Sequence, residues 1–445
     1  MMEILAEMLH TLVSLLASPL NHGMTAFALK FIPYVLFFEL PVYLFIMLGI
    51  LRYFVRKDDE PPQRLPYYPT VSCLITCYAE GNDVAKTILS LAEQVYPGTI
   101  EIMPIIDGAV QNQDTYRAAL KQSDYVDRLP NRHLRVVPKW QRGGRVSSLN
   151  TGLSMATGQI VMALDGDTSF DNNMVQDACT HFIDPGVVGV AGSLRVRNAF
   201  QNLVTRLQAL EYMLSIHASK VGLSEFNVVN NISGAFGIFR KSFLEKIGGW
   251  DSGTAEDLDI TMRIKNYFGR HPGLRIVFEP KAMGHTDAPD TWRGLFNQRL
   301  RWDGDLFYLY IRKHAMSFNP RLFGWRNFIM QAWTGLFFQL VMPFIIIFYS
   351  MYVFTLYSTG FVLAVWIVVY IFYFGITLIF FLLYITMLSE RRRDDLKLAW
   401  MIPITPLFTF ALRVWNALAT LKEMAMKAHL DSSMAPWWVL KKTKF

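Results

Sequence analysis

The sequence predicts an α/β domain with a mostly parallel sheet, inserted between α-helical membrane segments. The chain of 445 residues is 52% hydrophobic and 18% charged, whereas soluble domains average about 25% charged residues. The apolar residues collect at the two ends, while residues 56–325 have the composition of an ordinary polar domain. Within that domain, short β-branched apolar runs alternate with helical patterns, which is typical of a parallel sheet with crossover helices.

The N-terminal membrane region covers residues 1–55. Residues 25–54 predict a transmembrane helix, because about 20 apolar residues are enough to cross the hydrocarbon core of a bilayer. Arg56 and Lys57 follow it, which places its end in the cytoplasm. Residues 4–19 fit either an amphipathic interfacial helix or a further spanning helix.

The C-terminal membrane region begins with two predicted transmembrane helices in residues 326–388. Residues 389–445 contain a basic loop with Arg391–Arg393, an apolar segment at 397–420 and a lysine-rich tail. Because basic residues favour the cytoplasmic side, we prefer an interfacial or re-entrant helix at 397–420 over a spanning one. Both flanks therefore predict that residues 56–325 lie in the cytoplasm.

Charge and cysteine content exclude some classes of protein. The net charge of +7 does not indicate nucleic-acid binding, because there is no block of five or six like charges and the basic residues gather beside membrane segments. Cys73, Cys77 and Cys179 lack the spacing of a metal site or a disulfide framework. They are typical of small core residues in a reducing compartment.

Acidic residues follow two of the predicted strands. The apolar runs with strand character are 71–77, 101–106, 134–137 and 160–164. Asp107 follows the second run, and Asp165-Gly166-Asp167 follows the fourth. Ligands of such sheets bind at the carboxyl ends of the strands, so we expect these aspartates to meet at one edge.

The Asp165-Gly166-Asp167 turn predicts a divalent metal site. Alternate residues of an extended segment point the same way, so both carboxylates can face one cation. Mg²⁺ and Mn²⁺ prefer carboxylates together with substrate phosphate oxygens, which suits a sugar-nucleotide diphosphate. The alternative is an ordinary surface turn.

Two later motifs supply further chemistry. Glu256-Asp257 can provide a general base, and its alternative reading is a solvated helix start, where acidic residues are favoured by the helix dipole. Gln298, Arg301 and Trp302 are spaced i, i+3 and i+4 on one helical face, while Arg299 points away. An amide, a cation and an indole suit a phosphate-bearing donor and a sugar acceptor, although Trp302 alone is equally typical of a membrane-interface residue.

In this order, the motifs of residues 70–305 resemble those of the processive family 2 glycosyltransferases, the group that contains cellulose, hyaluronan and poly-N-acetylglucosamine synthases. The resemblance implies a glycosyltransferase A-type nucleotide-sugar-binding domain, a UDP-sugar donor and a Mg²⁺ or Mn²⁺ cofactor. It also implies inverting transfer to a growing polysaccharide that passes through the enzyme's own membrane segments.

The resemblance also assigns expected roles to residues of this sequence. Ala79 stands where the family usually has Asn, and Arg145 stands where it has Lys. Trp437-Trp438 is loosely similar to a gating segment, or is an interfacial cluster. The expected catalytic residues are Asp257 as base and Glu256 beside it. The expected donor-binding residues are Thr76, Tyr78, Glu80, Asp107, Arg145, Asp165, Gln298 and Arg301. The expected acceptor-binding residues are Gly234, Ala235, Phe236 and Trp302, and the expected metal ligands are Asp167 and Asp165.

Other functions and partners stay open at this point. A non-processive transferase to a lipid acceptor also fits the motifs, and a catalytically silent membrane scaffold or receptor fits less well. The expected partners are the donor, the acceptor, the lipid bilayer and a small membrane subunit, without nucleic acid. By resemblance, the expected location is a bacterial inner membrane.

Overall fold

The computed structural model describes residues 2–17, 35–59, 66–252 and 255–426. Thr254, the tail with Trp437 and Trp438, and the first part of the span predicted at 25–54 lie outside these residues.

A mixed sheet forms the centre of the domain that lies between the apolar helices in sequence and confirms the predicted fold class. Its strands are β1 Val71–Cys77, β2 Ile100–Asp107, β3 Arg132–Leu134, β4 Val137–Lys139, β5 Ile160–Asp165, β6 Ser169–Phe170, β7 Val187–Val196, β8 Phe236–Arg240 and β9 Arg275–Thr286. The order is β3-β2-β1-β5-β8-β7-β9-β6, with β4 also beside β2. β1, β2, β3, β4 and β5 pair in parallel, whereas β8 runs antiparallel to both β5 and β7.

The single strand predicted at 134–137 is wrong, because two short strands share the edge of β2. β3 pairs with the first residues of β2, and β4 pairs with its last residues. β4 contains Pro138, which has no N–H to donate and is tolerated at a sheet edge. The pairing places Lys139 beside Asp107.

Helices flank the sheet and continue into the membrane segments. They are α1 Met2–Ala17, α2 Leu40–Asp59, α3 Asp83–Ala92, α4 Gln113–Leu120, α5 Ser123–Val126, α6 Gly144–Met155, α7 Met174–Thr180, α8 Leu203–Glu211, α9 Ser219–Ser224, α10 Lys241–Lys246, α11 Glu256–Lys265, α12 Trp292–Phe307, α13 Pro320–Phe323, α14 Trp325–Gln331, α15 Met342–Leu356, α16 Thr359–Leu383, α17 Arg392–Leu396 and α18 Thr405–Met426. π-helical segments adjoin them at Val35–Glu39, Tyr212–Ala218, Tyr308–Lys313, Ala332–Val341 and Tyr384–Leu388, and 3₁₀ turns at His181–Ile183 and Ala399–Met401.

The parallel half of the sheet is buried on both faces. Every residue of β1 and β2 is buried, which is why both strands have a nearly continuous apolar sequence. Near the start of β1, the Ser72 hydroxyl donates to Glu101 on β2 at 2.6 Å. The register sets Thr76 of β1 beside Asp165 of β5, so the carboxyl ends of these strands meet at one edge.

Three helices of the described chain are long and apolar enough to cross a membrane: Phe37–Lys57, Trp325–Leu356 and Thr359–Leu388. A pair of helices, Arg392–Met401 and Thr405–Met426, passes the same test together but is bent by 73°. The bend fits a broken span or a re-entrant segment. α18 packs along α12, where the Trp415 indole donates to the Phe296 carbonyl at 2.8 Å.

The first span docks directly on the catalytic domain through glycines. A Cβ on Gly49 would overlap the backbone of Gly222 in α9. Beside this contact, Arg56 pairs with Glu225 at 2.6 Å. Helices approach this closely only where side chains are absent, so the two glycines set the position of the domain against the membrane helix.

We expect Gly49→Ala to lower the free energy of unfolding by about 1–3 kcal/mol, because the added methyl group has no space against Gly222. The measurement is thermal unfolding of the purified protein in detergent. Gly375→Ala is the matched control, since a Cβ at Gly375 meets no atom within 4 Å. Equal stability of the two variants would contradict the docking contact.

Candidate active site

Acidic side chains gather around Gly166, at the ends of β1 and β5. A Cβ on Gly166 would lie 3.1 Å from the Thr76 carbonyl and 3.2 Å from the Glu80 carboxyl carbon. Glycine therefore lets the turn close against the loop that follows β1. As a result Glu80, Asp165 and Asp167 belong to one cluster.

Two of these acids have raised pKa values. Burial raises the pKa of Glu80 to about 7. Asp167 is exposed, yet desolvation of its carboxylate by nearby protein atoms, together with the charge of Asp165, raises its pKa to about 6. Loss of solvent around the carboxylates is thus the main cause of both shifts, and the neighbouring carboxylates add to it.

Arg145, in the first turn of α6, joins two of the predicted motifs. Its guanidinium donates to the Asp165 carboxylate and, at 2.7 Å, to the Thr76 hydroxyl. It also donates to the Gly234 carbonyl at 2.5 Å, and its Nε lies 2.5 Å from Glu256 Oε1. One side chain thus connects the ends of β1 and β5, the loop before β8 and the start of α11.

Asp107, at the end of β2, holds the start of α6. Its carboxylate accepts the backbone N–H groups of Gly143 at 2.8 Å and Gly144 at 2.9 Å. Lys139 also donates to it, at 2.8 Å. A carboxylate at a helix N-terminus is stabilised by the helix dipole. Asp107 therefore positions the helix that carries Arg145.

Asp257 is oriented by its neighbours in the first turn of α11. Its Oδ2 accepts from the Asn231 amide at 3.1 Å and from the Gly234 N–H at 3.3 Å. Lys220 is buried nearby, and burial lowers the pKa of this lysine to about 8 against the opposing effect of Asp257. The hydrogen bonds from Asn231 and Gly234 therefore hold the Asp257 carboxylate in one orientation.

A buried ionic cluster ties α11 to the segment after α12. The Asp259 carboxylate, which is fully buried, lies 2.9 Å from Arg263, 2.9 Å from Lys313 and 2.8 Å from His314. Because Asp259 is two residues from Asp257, this cluster sets the position of Asp257 relative to the membrane-proximal helices.

The Gln298–Trp302 motif lies in α12. Arg299 pairs with Glu211 at 2.7 Å and its guanidinium lies 4.7 Å from the centre of the Trp302 ring. The Trp302 side chain is 38% exposed. No hydrogen bond or ion pair within the described chain joins Gln298 or Arg301 to the carboxylate cluster. Arg299 therefore secures the helix, while the functional roles of its neighbours stay predictions.

One predicted acceptor residue is corrected by the structure. Phe236 is completely buried and its ring packs 5.1 Å from that of Phe170. The ring belongs to the core beneath the loop, because Phe236 is the first residue of the central strand β8. Gly234 and Ala235 are half-buried and remain acceptor-side predictions.

Several residues of the site were not predicted from the sequence. Lys139 and Arg142 flank Asp107, and Arg142 also covers the Tyr78 ring at 4.3 Å. Arg197 donates to the Asp167 carbonyl at 3.2 Å and pairs with Asp287 at 2.6 Å. Lys139 ends β4, and its place just after the apolar run at 134–137 was a signal in the sequence. Arg197 had no such signal.

The backbone conformation at Ala79 explains why the family usually has Asn at this position. Its φ of 69° is in the left-handed region, which Asn and Gly adopt at lower cost than Ala. The usual Asn therefore suits this backbone conformation, and Ala79 retains the conformation without the amide.

No group of three His, Cys, Asp or Glu side chains in the described ranges is arranged to hold a metal ion. A cation bound by Asp165 and Asp167 would therefore need further ligands from elsewhere, such as the oxygens of a substrate.

Comparisons with known proteins identify the family of this chain. The family described as glycosyltransferase like family 2 matches residues 69–304. Poly-beta-1,6-N-acetyl-D-glucosamine synthase of Staphylococcus epidermidis is 29% identical over 284 residues, which are 60% of this chain and 64% of that relative. The protein of the same name from Staphylococcus aureus strain MSSA476 is 29% identical over 289 residues, 62% of this chain and 65% of that relative. The chain thus matches less than two thirds of the length of either relative.

A solved structure shares the fold. The mannosyltransferase PcManGT from Pyrobaculum calidifontis, in complex with GDP-Man and Mn²⁺, is 17% identical with a TM-score of 0.53, covering 86% of this chain and 99% of that chain.

We expect Arg145→Gln to lower the free energy of unfolding by about 1–3 kcal/mol, because Asp165 and Glu256 lose their shared cation. The double variant Arg145→Gln/Glu256→Gln is expected to recover part of this loss, since it removes one uncompensated charge. Unfolding midpoints of the wild type, both single variants and the double variant give the coupling energy. Simple addition of the two single losses would contradict the pairing.

Proposed function

This chain belongs to glycosyltransferase-like family 2 and is a glycosyltransferase, and we propose that it transfers sugar, with inversion, from a UDP-sugar to the end of a growing polysaccharide. The observation that carries the proposal is the Arg145 bridge, which joins the acidic turn at Asp165 to the helix of Asp257. The names of the staphylococcal relatives support a polysaccharide product and make UDP-N-acetylglucosamine the first donor to try.

The donor would bind at the carboxyl ends of β1, β2 and β5. Asp107 and Tyr78 lie on this edge beside basic side chains. This arrangement suits the uracil ring and the diphosphate of the donor. Thr76 and Arg145 face the same space. In α/β sheets this edge is the common place for ligands, which supports the assignment.

Asp167 and Asp165 fit a Mg²⁺ or Mn²⁺ ion. Desolvation, followed by the charge of the Asp165 carboxylate, raises the pKa of Asp167, and hard divalent cations prefer carboxylates together with phosphate oxygens. When bound, the cation would neutralise charge on the departing diphosphate.

Asp257 would act as the general base. Its carboxylate accepts the proton of the acceptor hydroxyl while that oxygen forms a bond to the anomeric carbon. The bond from this carbon to the UDP oxygen breaks, and UDP leaves with the electron pair. Asn231 and Gly234 keep the carboxylate in one orientation, and Glu256 is held beside it by Arg145.

The acceptor would approach from the membrane side. The exposed Trp302 offers a flat surface for a sugar ring. It directly follows the predicted donor-binding residues Gln298 and Arg301 on α12, the helix that packs against α18. We infer that the membrane helices carry the product across a bacterial inner membrane while the catalytic domain stays in the cytoplasm. The small number of candidate spans in the described chain supports a partner subunit.

The direct test is UDP release by the purified full chain, with Mg²⁺ or Mn²⁺, across a panel of UDP-sugars, followed by product sizing. Release with one donor and a high-molecular-weight product is expected. A single sugar on a lipid would replace the proposal with transfer to a lipid acceptor. No release with any donor, together with no UDP binding, would point to a silent scaffold.

We expect Asp257→Asn to reduce the transfer rate by about 10²–10⁴-fold, because an amide cannot accept the proton. UDP binding should be unchanged, since Asp257 lies on the acceptor side of the Arg145 bridge. The readouts are UDP release and UDP titration. Asp127→Asn, at an exposed position of the same domain, is the control; a similar loss in that variant would contradict the role of Asp257.

We expect removal of divalent cations with EDTA to abolish transfer, and added Mn²⁺ to restore it. Asp167→Asn should raise the half-saturating Mn²⁺ concentration by at least about 10-fold, because one of the two ligands is lost. Asp184→Asn, which alters an exposed pair with Arg275, is the matched control. Full activity in EDTA would contradict the metal assignment.

A further inference from the structure

A cavity separate from the carboxylate cluster lies between the catalytic domain and two membrane helices. Two adjoining parts meet at Arg195, His217, Tyr384 and Arg391. The part next to the spans has a volume of about 20 Å³, and the other part has a volume of about 260 Å³. Neither part is lined by Glu80, Asp165, Asp167 or Asp257, although Arg197, which contacts the Asp167 carbonyl, lines the larger part.

The cavity lies at the cytoplasmic ends of the spans. Tyr53 and Lys57 come from the end of the first span, and Met387 and Leu388 from the end of the third. Lys281 of β9 closes the other side. The lining therefore combines apolar side chains from the membrane helices with cationic groups at the depth of lipid headgroups.

Basic residues outnumber acidic ones in the part that adjoins the spans. Arg195 and Arg391 already have partners, Asp395 and Asp171. Lys57 and Lys281 line the cavity from exposed positions and form no ion pair with any described residue. These two ammonium groups therefore have charge available for a ligand.

His217 adds a buried polar group. Its side chain is 4% exposed, and its Nδ1 shares a 2.8 Å hydrogen bond with the Ser193 hydroxyl. Its Nε2 is buried with no hydrogen-bond partner among the described residues. Burial lowers the pKa of His217 to about 3, so the ring is neutral near pH 7. When Ser193 donates to Nδ1, Nε2 carries a proton that no acceptor receives.

We propose that this cavity binds a phosphate group, which is carried by an anionic lipid headgroup or by a soluble phosphate compound. Lys57 and Lys281 supply the charge, and His217 supplies a buried donor for a phosphate oxygen. Basic cavities between the cytoplasmic ends of membrane helices are suited to phosphate headgroups. The apolar lining from Met387 and Leu388 fits the glycerol and first methylene groups of a lipid.

The cavity is connected to the domain through Asp171. This carboxylate pairs with Arg391 at 3.1 Å and with His285 at 2.9 Å, and it follows β6, which pairs with β9. A bound phosphate would therefore lie beside Asp171, which connects Arg391, after the third span, to strands β6 and β9.

The test is a titration of the detergent-solubilised full chain with dioctanoyl phosphatidylglycerol in one arm and inorganic phosphate in the other. Saturating UDP is present in both arms, so that the donor site does not contribute. Saturable binding in the first arm assigns a lipid, and binding only in the second assigns a soluble compound. Absence of binding in both arms overturns the proposal.

The variants Lys57→Gln and Lys281→Gln locate the binding. Each is expected to weaken the affinity by about 5-fold, and both positions are exposed, so the unfolding midpoint should not change. The matched control is Arg326→Gln, an exposed basic residue at the start of the second span. An equal loss in the control, or no loss in the two lysine variants, also overturns the proposal.

Discussion

The Arg145 guanidinium is the contact on which the candidate site depends. It bonds to Thr76, Asp165 and the Gly234 carbonyl and lies against Glu256. These groups come from four parts of the chain that are far apart in sequence. A planar guanidinium can donate in several directions at once, whereas a lysine ammonium acts as a point charge on a flexible stem. The Arg at this position therefore gives the site a rigid link that the family's usual Lys would supply less completely.

Three further contacts extend from that link towards the neighbouring helices. Asp107 accepts the first N–H groups of α6 and so sets the helix from which Arg145 extends. Asn150, one turn further along α6, bonds to both backbone groups of Trp250 and holds the loop ahead of α11. The buried Asp259 cluster then joins α11 to the membrane-proximal helices. The predicted catalytic carboxylates and the candidate membrane spans are thus parts of one packed structure.

Local patterns predicted much of this molecule, and long-range contacts were the part they missed. The apolar runs predicted β1, β2 and β5, and the acidic motifs predicted which strand ends would meet. The antiparallel insertion of β8 had no signal, since strand direction depends on how the intervening chain packs. Phe236 was assigned to the acceptor side by resemblance to the family, yet its ring lies in the core. Arg197 and Asp259 were not predicted, because their ion-pair partners lie far away in the sequence.

The most direct measurement is an electron cryomicroscopy map of the full chain with UDP and Mn²⁺. The account predicts that the uracil lies beside Asp107, the diphosphate beside Arg145, and the metal density between Asp167 and the phosphates. Asp257 should face the open side of the same cleft. Nucleotide density elsewhere, for example in the cavity lined by Lys57 and His217, would contradict the assignment of the donor site. Metal density away from Asp167 would contradict the role of the acidic turn.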